Sequence, residues 1–570
     1  MNEILRDAPF GQFARYLTNN RVFLYPEEKP GFQCPDVYFT GHQSESTEHE
    51  KQDHEAEPTE PAPSRAQSSQ ASSEDGQLKG SATPGGQTGG QASAEDVVVK
   101  VKDGVVLVDW YTTSDAENPQ NWSQAKKAWV AFLITLYTFV IYAGSSIYVP
   151  STLLVMEKFG VGHFKASLGL ALYVLGYGCG PMLWAPMSEV PQFGRNLPYI
   201  SSFAIFILLT IPTALVDNLG GLLTLRFLLG FFGSPCLANG GATLGDMYSV
   251  LYLPYSLALW IGSCFAAPAL GPLFSAYTVY AKSWRWSQWE ILLMSAPILP
   301  LFLLLLPETN PTTILHRRTL RLRTLTSNAS LHTSSSLLHA HTSFASTLAS
   351  AAIKPLEIGV KDPALFFVNL YTALTYAVYY SYFEAFPLVY PYVYGFTVLE
   401  TSVVFVSIVV GFLVALGVYY AYLAWYLVPD IKERGMRAQE HRLVPAVFAS
   451  VGMPVGLFIF GWTAKESVHW MVPTLGIGIY ACTCFVLFQC IINYVPMSYP
   501  QYAASLFAGN DFCRSLFAFG AVLFGRPMYV NLGISKGTTV LAGLNIAGIF
   551  GITAIWYYGA KLRAKSKFAV

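Results

Sequence analysis

Three ionisable side chains stand inside long apolar runs, and each could do a different piece of charge chemistry. Arg226 lies in LRFLLGFFGSPCLANGGATLGD, residues 225–246. Its guanidinium stays charged at any ordinary pH. At a bilayer centre it costs at least ~2.5 kcal/mol, so it must face the protein interior or water. Downstream, Gly230, Gly233, Ser234, Ala238, Gly240, Gly241 and Ala242 are small residues that let membrane helices approach closely, which puts Arg226 on a tightly packed internal helix. Glu384, within YAVYYSYFEAFP, and Asp511, within GNDFCRS, are the groups that can change charge. A carboxyl in an apolar cavity can take up and release a proton as water access alternates, so these two are the candidates for proton exchange, with Arg226 shaping the field around them. Each also fits a plainer role. Asp511 and Arg514, three residues apart on a helix, can simply pair. Glu384 can be a solvated rim residue near a span end, and Arg226 can bridge backbone carbonyls.

A second constellation suits a mechanical contact. GPMLWAPMSEVPQFGR carries Glu189 and Arg195 on a short turn broken by Pro186, Pro191 and Gly194. Asp246, at the end of the Arg226 helix, is the natural partner for Arg195, and the contact would brace one state of a rocking bundle. A solvated turn is the alternative, since exposed ion pairs are worth at most ~1 kcal/mol. Substrate contacts need apolar area with a few polar anchors. Tyr376, Tyr379, Tyr380 and Phe383 supply the first, and Gln489, Asn493 and Asn510 the second. Simple packing or lipid contact competes for the aromatics, and interhelical hydrogen bonding explains the amides equally well.

The elements that must position these residues follow from composition. Of 570 residues, 53% are hydrophobic, 15% aromatic and only 12% charged, and the mean hydropathy is +0.39. That is an integral membrane protein. A formal net charge of zero gives no reason to expect a nucleic-acid partner. Seven of the eight cysteines lie in apolar runs and only Cys34 does not, which disfavours a disulfide framework. No apolar stretch follows the initiator Met, so no cleavable signal is expected. Runs of spanning length fall near 128–150, 166–186, 197–216, 220–242, 255–279, 287–306, 363–388, 399–425, 444–462, 471–493, 503–524 and 538–558.

These runs form two blocks of six. The predicted fold is an all-α membrane protein of twelve transmembrane helices in two six-helix bundles, as in a two-domain secondary transporter. The divisions are 1–125, an N-terminal cytosolic region disordered at about 42–96; 126–307, the first bundle; 308–361, a cytosolic linker; 362–559, the second bundle; and 560–570, a cytosolic tail. Lys and Arg crowd one side (Lys126, Lys127, Arg195, the linker arginines, Lys432 to Arg442, Lys561 to Lys567). The other side has only Lys158, Lys165, Lys282, Arg285, Lys465, Arg526 and Lys536. The asymmetry predicts both termini and the linker in the cytosol. The sequons at Asn121 and Asn328 would then stay unglycosylated. The N-terminal 40 residues are amphipathic enough for an interfacial or docking helix, or else form a loose tail. HRRTLRLR, residues 316–323, reads as a basic helix lying on anionic lipid.

Several motifs resemble one family. The turn holding Glu189 and Arg195 resembles the loop-two-three signature of the major facilitator superfamily, and LRFLLGFFGSP its fourth-helix signature in drug:proton antiporters. Gly262 followed by AAPALGP resembles the antiporter motif of the fifth helix. That likeness implies helix bending at Pro268, Gly271 and Pro272, although Ala267 and Ser275 replace glycines common in the family. DAENPQNW, SWRWSQW, LPET, FEAFP, RDAPFGQFARYL and YPEE resemble the fungal twelve-span branch typified by fluconazole- and benomyl-resistance efflux pumps.

The resemblance implies proton-coupled efflux of hydrophobic small molecules at the plasma membrane by a non-enzymatic secondary transporter. Its expected partners are hydrophobic substrates, protons and the bilayer, and the expected state is a monomer. No cofactor or metal is expected, and no Gly-rich phosphate loop suggests ATP use. The alternatives are a proton symporter importing a small metabolite, or a non-transporting receptor on the same fold.

Overall fold

The computed structural model describes residues 2–32, 38, 101–102, 105–339, 344–499 and 503–566. The stretch expected to be disordered, Cys34 and Lys567 lie outside them. Twelve long helices dominate the described residues. They are α1 (Gln124–Phe159), α2 (His163–Glu189), α3 (Asn196–Leu215), α4 (Leu219–Met247), α5 (Leu253–Ala281), α6 (Trp286–Leu305), α7 (Pro363–Tyr394), α8 (Val398–Arg434), α9 (Gln439–Thr463), α10 (Met471–Ser498), α11 (Ser505–Leu532) and α12 (Ile534–Lys565).

Eleven of them are long and apolar enough to cross a membrane by composition alone. The exception is α7, where Tyr371, Tyr376, Tyr379, Tyr380, Tyr382, Tyr390, Tyr392 and Tyr394 depress the hydropathy of a 32-residue helix. Its length is ample, and most of its tyrosines are buried against other helices, where the hydroxyls of Tyr376, Tyr379, Tyr380 and Tyr390 find partners that replace water. Most helices outrun the apolar windows read from sequence, because helical hydrogen bonding continues past the apolar stretch into polar ends.

Local signals start and stop the spans. Ser123 Oγ accepts the Lys126 amide at the head of α1. Asp362 Oδ1 accepts the amides of Ala364 and Leu365 and, with Pro363 following, starts α7. Gly395, at φ +69°, ends α7 in a left-handed conformation that a side chain would resist. In the first bundle α1 packs on α5, α2 on α4, and α3 on α4 and α6; in the second, α7 packs on α11 and α9 on both α10 and α12. The two bundles meet along α2 and α11 and where α5 crosses α8 and α10. The linker and both termini share one face, here the linker side, and the opposite face is the far side.

On the linker side the N-terminal segment is docked. Helices Asn2–Asp7 and Pro9–Leu17 pack near the end of α6. The linker opens with helix Pro311–Thr326. There the basic stripe expected to lie on lipid is instead paired with protein. Arg318, 1% exposed, reaches Asp115 Oδ2 at 2.7 Å, Glu117 Oε2 at 3.1 Å and Glu27 Oε1 at 3.2 Å. Arg321 meets Glu117 at 3.2 Å and Glu27 at 3.4 Å, with its guanidinium 3.7 Å from the Tyr25 ring centre. Three acids from YPEE and DAENPQNW thus claim the charge that an anionic headgroup would have taken. A short three-stranded sheet adds to the clasp, with Val105–Leu107 antiparallel to Val101–Lys102 and parallel to Leu331–His332. The side-chain amides of Asn121 and Asn328 are both used internally, donating to Thr113 O and Tyr38 O.

Candidate functional site

Arg226 sits two turns into α4, fully buried, and spends its fork on backbone. Nε donates to Gly169 O at 2.9 Å, one terminal nitrogen to Gly144 O at 2.9 Å and the other to Ser145 O at 3.0 Å. The Tyr173 and Tyr148 rings flank it at 4.4 and 5.1 Å. One charge therefore ties α1, α2 and α4 together. Such close approach is possible because Gly230 of α4 lies on the Tyr173 carbonyl of α2, and Gly176 of α2 on the Phe227 carbonyl of α4. A methyl at either position would overlap backbone that cannot swing away.

From Arg226 a polar thread crosses to the second bundle. Ser145, whose carbonyl the arginine holds, places its hydroxyl 3.1 Å from the Tyr380 hydroxyl of α7. Tyr177 of α2 bonds both Tyr380, at 2.8 Å, and Tyr376, at 2.7 Å. The Arg514 guanidinium of α11 sits 5.2 Å from the Tyr376 ring centre and holds Asp511 Oδ1 at 2.5 Å. Asp511 is 1% exposed, and its Oδ2 is buried without a hydrogen-bond partner among the described residues. Tyr379 donates to Phe265 O of α5 at 2.8 Å, while Phe383 stacks on Phe405 of α8 at 5.0 Å. The structure thus brings Arg226, Asp511 and the four aromatics of α7 into one interface. Sequence reasoning missed Ser145 and Tyr177, whose roles depend on which helix faces which and leave no local signal.

The remaining candidates sit apart from the thread. Gln489 is fully buried, with both side-chain amide atoms unpartnered among the described residues; Asn493 donates to Gln489 O at 2.7 Å and to Tyr419 of α8 at 3.3 Å. Asn510 donates to Asn369 Oδ1 at 2.9 Å and Thr372 Oγ1 at 2.8 Å, joining α11 to α7. Glu384 is 5% exposed, too buried for a solvated rim residue, and accepts from Ser167 of α2 at 3.2 Å. Among the described residues no cluster could hold a metal ion.

At the linker side Arg195 Nε meets Asp246 Oδ2 at 3.2 Å and Ser188 Oγ at 2.8 Å through a terminal nitrogen. Burial would lower the Arg195 pKa, but the charges of Asp246 and Glu189 outweigh it and hold the group further towards its charged form. Glu189 is exposed and acts on this corner through its charge. The second acid at this corner is Glu308, which accepts the backbone amides of Arg195, Asn196, Thr309 and Asn310. In α5, Pro268, Gly271 and Pro272 lie within an unbroken helix; Gly271 touches Ser146 and Ala143 of α1, and Ser275, in place of a glycine, donates to Ile147 O at 2.7 Å.

Comparison with known proteins agrees with this architecture. The chain is 40% identical to the MFS-type transporter pyvG of Aspergillus violaceofuscus over the full length of both. It is 33% identical to the cycloheximide resistance protein of Candida maltosa, again over all of both chains. Fluconazole resistance protein 1 of Saccharomyces cerevisiae is 38% identical over 81% of this chain and 84% of its own. The proton:xylose symporter XylE, solved with 6-bromo-6-deoxy-D-glucose, superposes with a TM-score of 0.55 at 11% identity, covering 77% of this chain and 96% of its own, a likeness of fold. The profile of the Major Facilitator Superfamily matches residues 134–521. With the twelve-helix, two-bundle architecture and relatives spanning its whole length, the chain belongs to the major facilitator superfamily and is a membrane transporter.

Proposed function

We propose that this protein exports hydrophobic small molecules across the plasma membrane in exchange for protons, with its linker and both termini in the cytosol, acting as a monomer. The observation that carries this reading is the thread from Arg226 through Ser145, Tyr380, Tyr177 and Tyr376 to Arg514 and Asp511. It joins a fixed charge in one bundle to a titratable pair in the other, through hydroxyls set at the seam that must open. The names of relatives, resistance proteins for cycloheximide and fluconazole, support apolar cargo. The Lys and Arg asymmetry supports the orientation.

Arg226 cannot itself take part in proton transfer. Its role is to fix three carbonyls and a positive field beside Ser145. Asp511 and Glu384 are the exchanging groups: ionised, Asp511 holds Arg514; protonated on the free Oδ2, it loosens that hold, and Arg514 leans on Tyr376. The Tyr376–Tyr177 contact then weakens and the bundles part. Tyr376, Tyr379, Tyr380 and Phe383 become cavity wall, with Gln489 an unspent polar anchor. The test is efflux of azoles and an uncharged dye from yeast lacking its own pumps, with and without a protonophore. Protonophore-sensitive exclusion is expected; accumulation, or no flux at all, refutes the reading.

A further inference from the structure

At the far end of α2 stands a group that the scheme above leaves unused. His163 Nε2 lies 3.6 Å from Glu384 Oε2, and Ser167, one turn along, bridges the two residues. The Ser167 hydroxyl is 3.0 Å from His163 Nδ1 and donates to Glu384 Oε1 at 3.2 Å. The two side chains differ in access, with 23% of the histidine exposed against 7% of the glutamate. His163 and Ser167 also line a cavity of about 270 Å³ at the far end of the α2–α11 seam, with Arg526, Pro527 and Asn531 opposite. Glu384 is one helical turn from Tyr380, where the polar thread begins in α7.

We propose that His163 and Ser167 are the proton inlet of this transporter, collecting protons from the far-side cavity and delivering them to Glu384. The inference rests on the proton-coupled reading above. The transfer balances: the Nδ1–H bond of the imidazolium breaks as the proton passes to Ser167 Oγ, and the serine hydroxyl gives its own proton to Glu384 Oε1. A neutral imidazole, an unchanged serine and a protonated carboxyl remain. The bridge runs between bundles, His163 and Ser167 on α2 and Glu384 on α7, so it conducts only while the far side is closed on the pair. Arg526 of α11 is the charged group that faces both partners. Tyr529, hydrogen-bonded to Ser381, is the next titratable group inward. Glu157, Lys158, Lys165, Glu400 and Lys536 at the same end are exposed.

The test is initial efflux of an uncharged dye from pump-deleted yeast at external pH values from 5 to 7.5, compared at equal surface abundance. For His163→Ala, His163→Gln and Ser167→Ala, efflux at pH 7.5 should fall on the order of 10²-fold, the lower end of what a positioned acid–base group supplies. At pH 5 it should recover to within about twofold, because bulk protons are then ~300-fold more concentrated and reach Glu384 directly. His163→Gln keeps the size and a hydrogen bond, so it separates proton handling from packing. Profiles that overlay wild type, or loss that is equal at every pH, overturn the inlet while leaving proton coupling standing. Wild-type efflux indifferent to external pH and to a protonophore overturns the coupling itself.

Discussion

Replacing Arg226 by lysine keeps the charge and removes the fork, which makes Arg226→Lys the sharpest perturbation of the first bundle. Three donors of the guanidinium serve three carbonyls on two helices, Gly144 and Ser145 of α1 and Gly169 of α2. An ammonium is a compact point charge on a flexible stem, and from α4 it satisfies at most one of the three. Hydrogen bonds to charged groups are worth ~1.5–3 kcal/mol each, whereas neutral interhelical bonds in membranes average ~0.6. Losing two therefore costs between ~1 and ~6 kcal/mol, with ~3 as the working value. At 1.4 kcal/mol per decade that is roughly a hundredfold loss in the population holding α1, α2 and α4 in register. The assay is dye efflux at matched surface abundance, together with the melting temperature of the detergent-purified protein. Arg226→Lys should resemble Arg226→Ala in efflux and fall between it and wild type in stability. Efflux within twofold of wild type in Arg226→Lys would refute the argument, because charge alone would then suffice.

Two other perturbations follow from the same contacts. Asp511→Asn leaves Arg514 buried without its ion partner, which costs ~3–5 kcal/mol. The double variant Asp511→Asn with Arg514→Gln should regain stability, read by thermal melting, but not pH-driven efflux; regained coupling would remove Asp511 from the proton path. On the linker side, burial raises the Asp115 carboxyl and the Arg318 hydrogen bond outweighs it, holding the group below the usual range. Glu28, likewise raised by burial, is pulled down further by Arg15. A depressed acid stabilises above its unfolded pKa of about 4 and loses that contribution as pH falls through the folded value. The docked N-terminal segment should thus stay protected from hydrogen exchange at neutral pH and detach as pH drops below about 4. Arg318→Ala should release it at pH 7, and unchanged protection in that variant would show the clasp to be held elsewhere.

What could be read from sequence was whatever cost free energy locally. A lone arginine in an apolar run announces itself, as do Asp511 and Glu384, and a glycine-rich stretch announces a close approach. The partners of those residues were harder to see. Arg226 bonds to backbone oxygens, which every residue has, and so its acceptors carry no residue signal. Arg318 meets Asp115 and Glu117 from a distant part of the chain, and a basic stripe looks the same whether lipid or protein neutralises it. The seventh helix shows the converse: its tyrosines hide it from a hydropathy criterion, while the two-blocks-of-six symmetry reveals it.

The α2–α11 seam also fixes the leverage of any rocking motion. Gly178 lies directly on Ser515, with Ala185 against Ala508 towards the linker side and His163 near Arg526 at the far end. At 1.5 Å per residue the far arm of α2, from 178 to 163, is ~22 Å long, and the linker arm, from 178 to 189, is ~16 Å. A tilt of ~10° about that glycine parts the far end by ~4 Å, the thickness of one aromatic ring, but the linker end by only ~3 Å. A pivot at Gly178 would be off-centre, so the same swing would open a wider door to the far side than to the linker side.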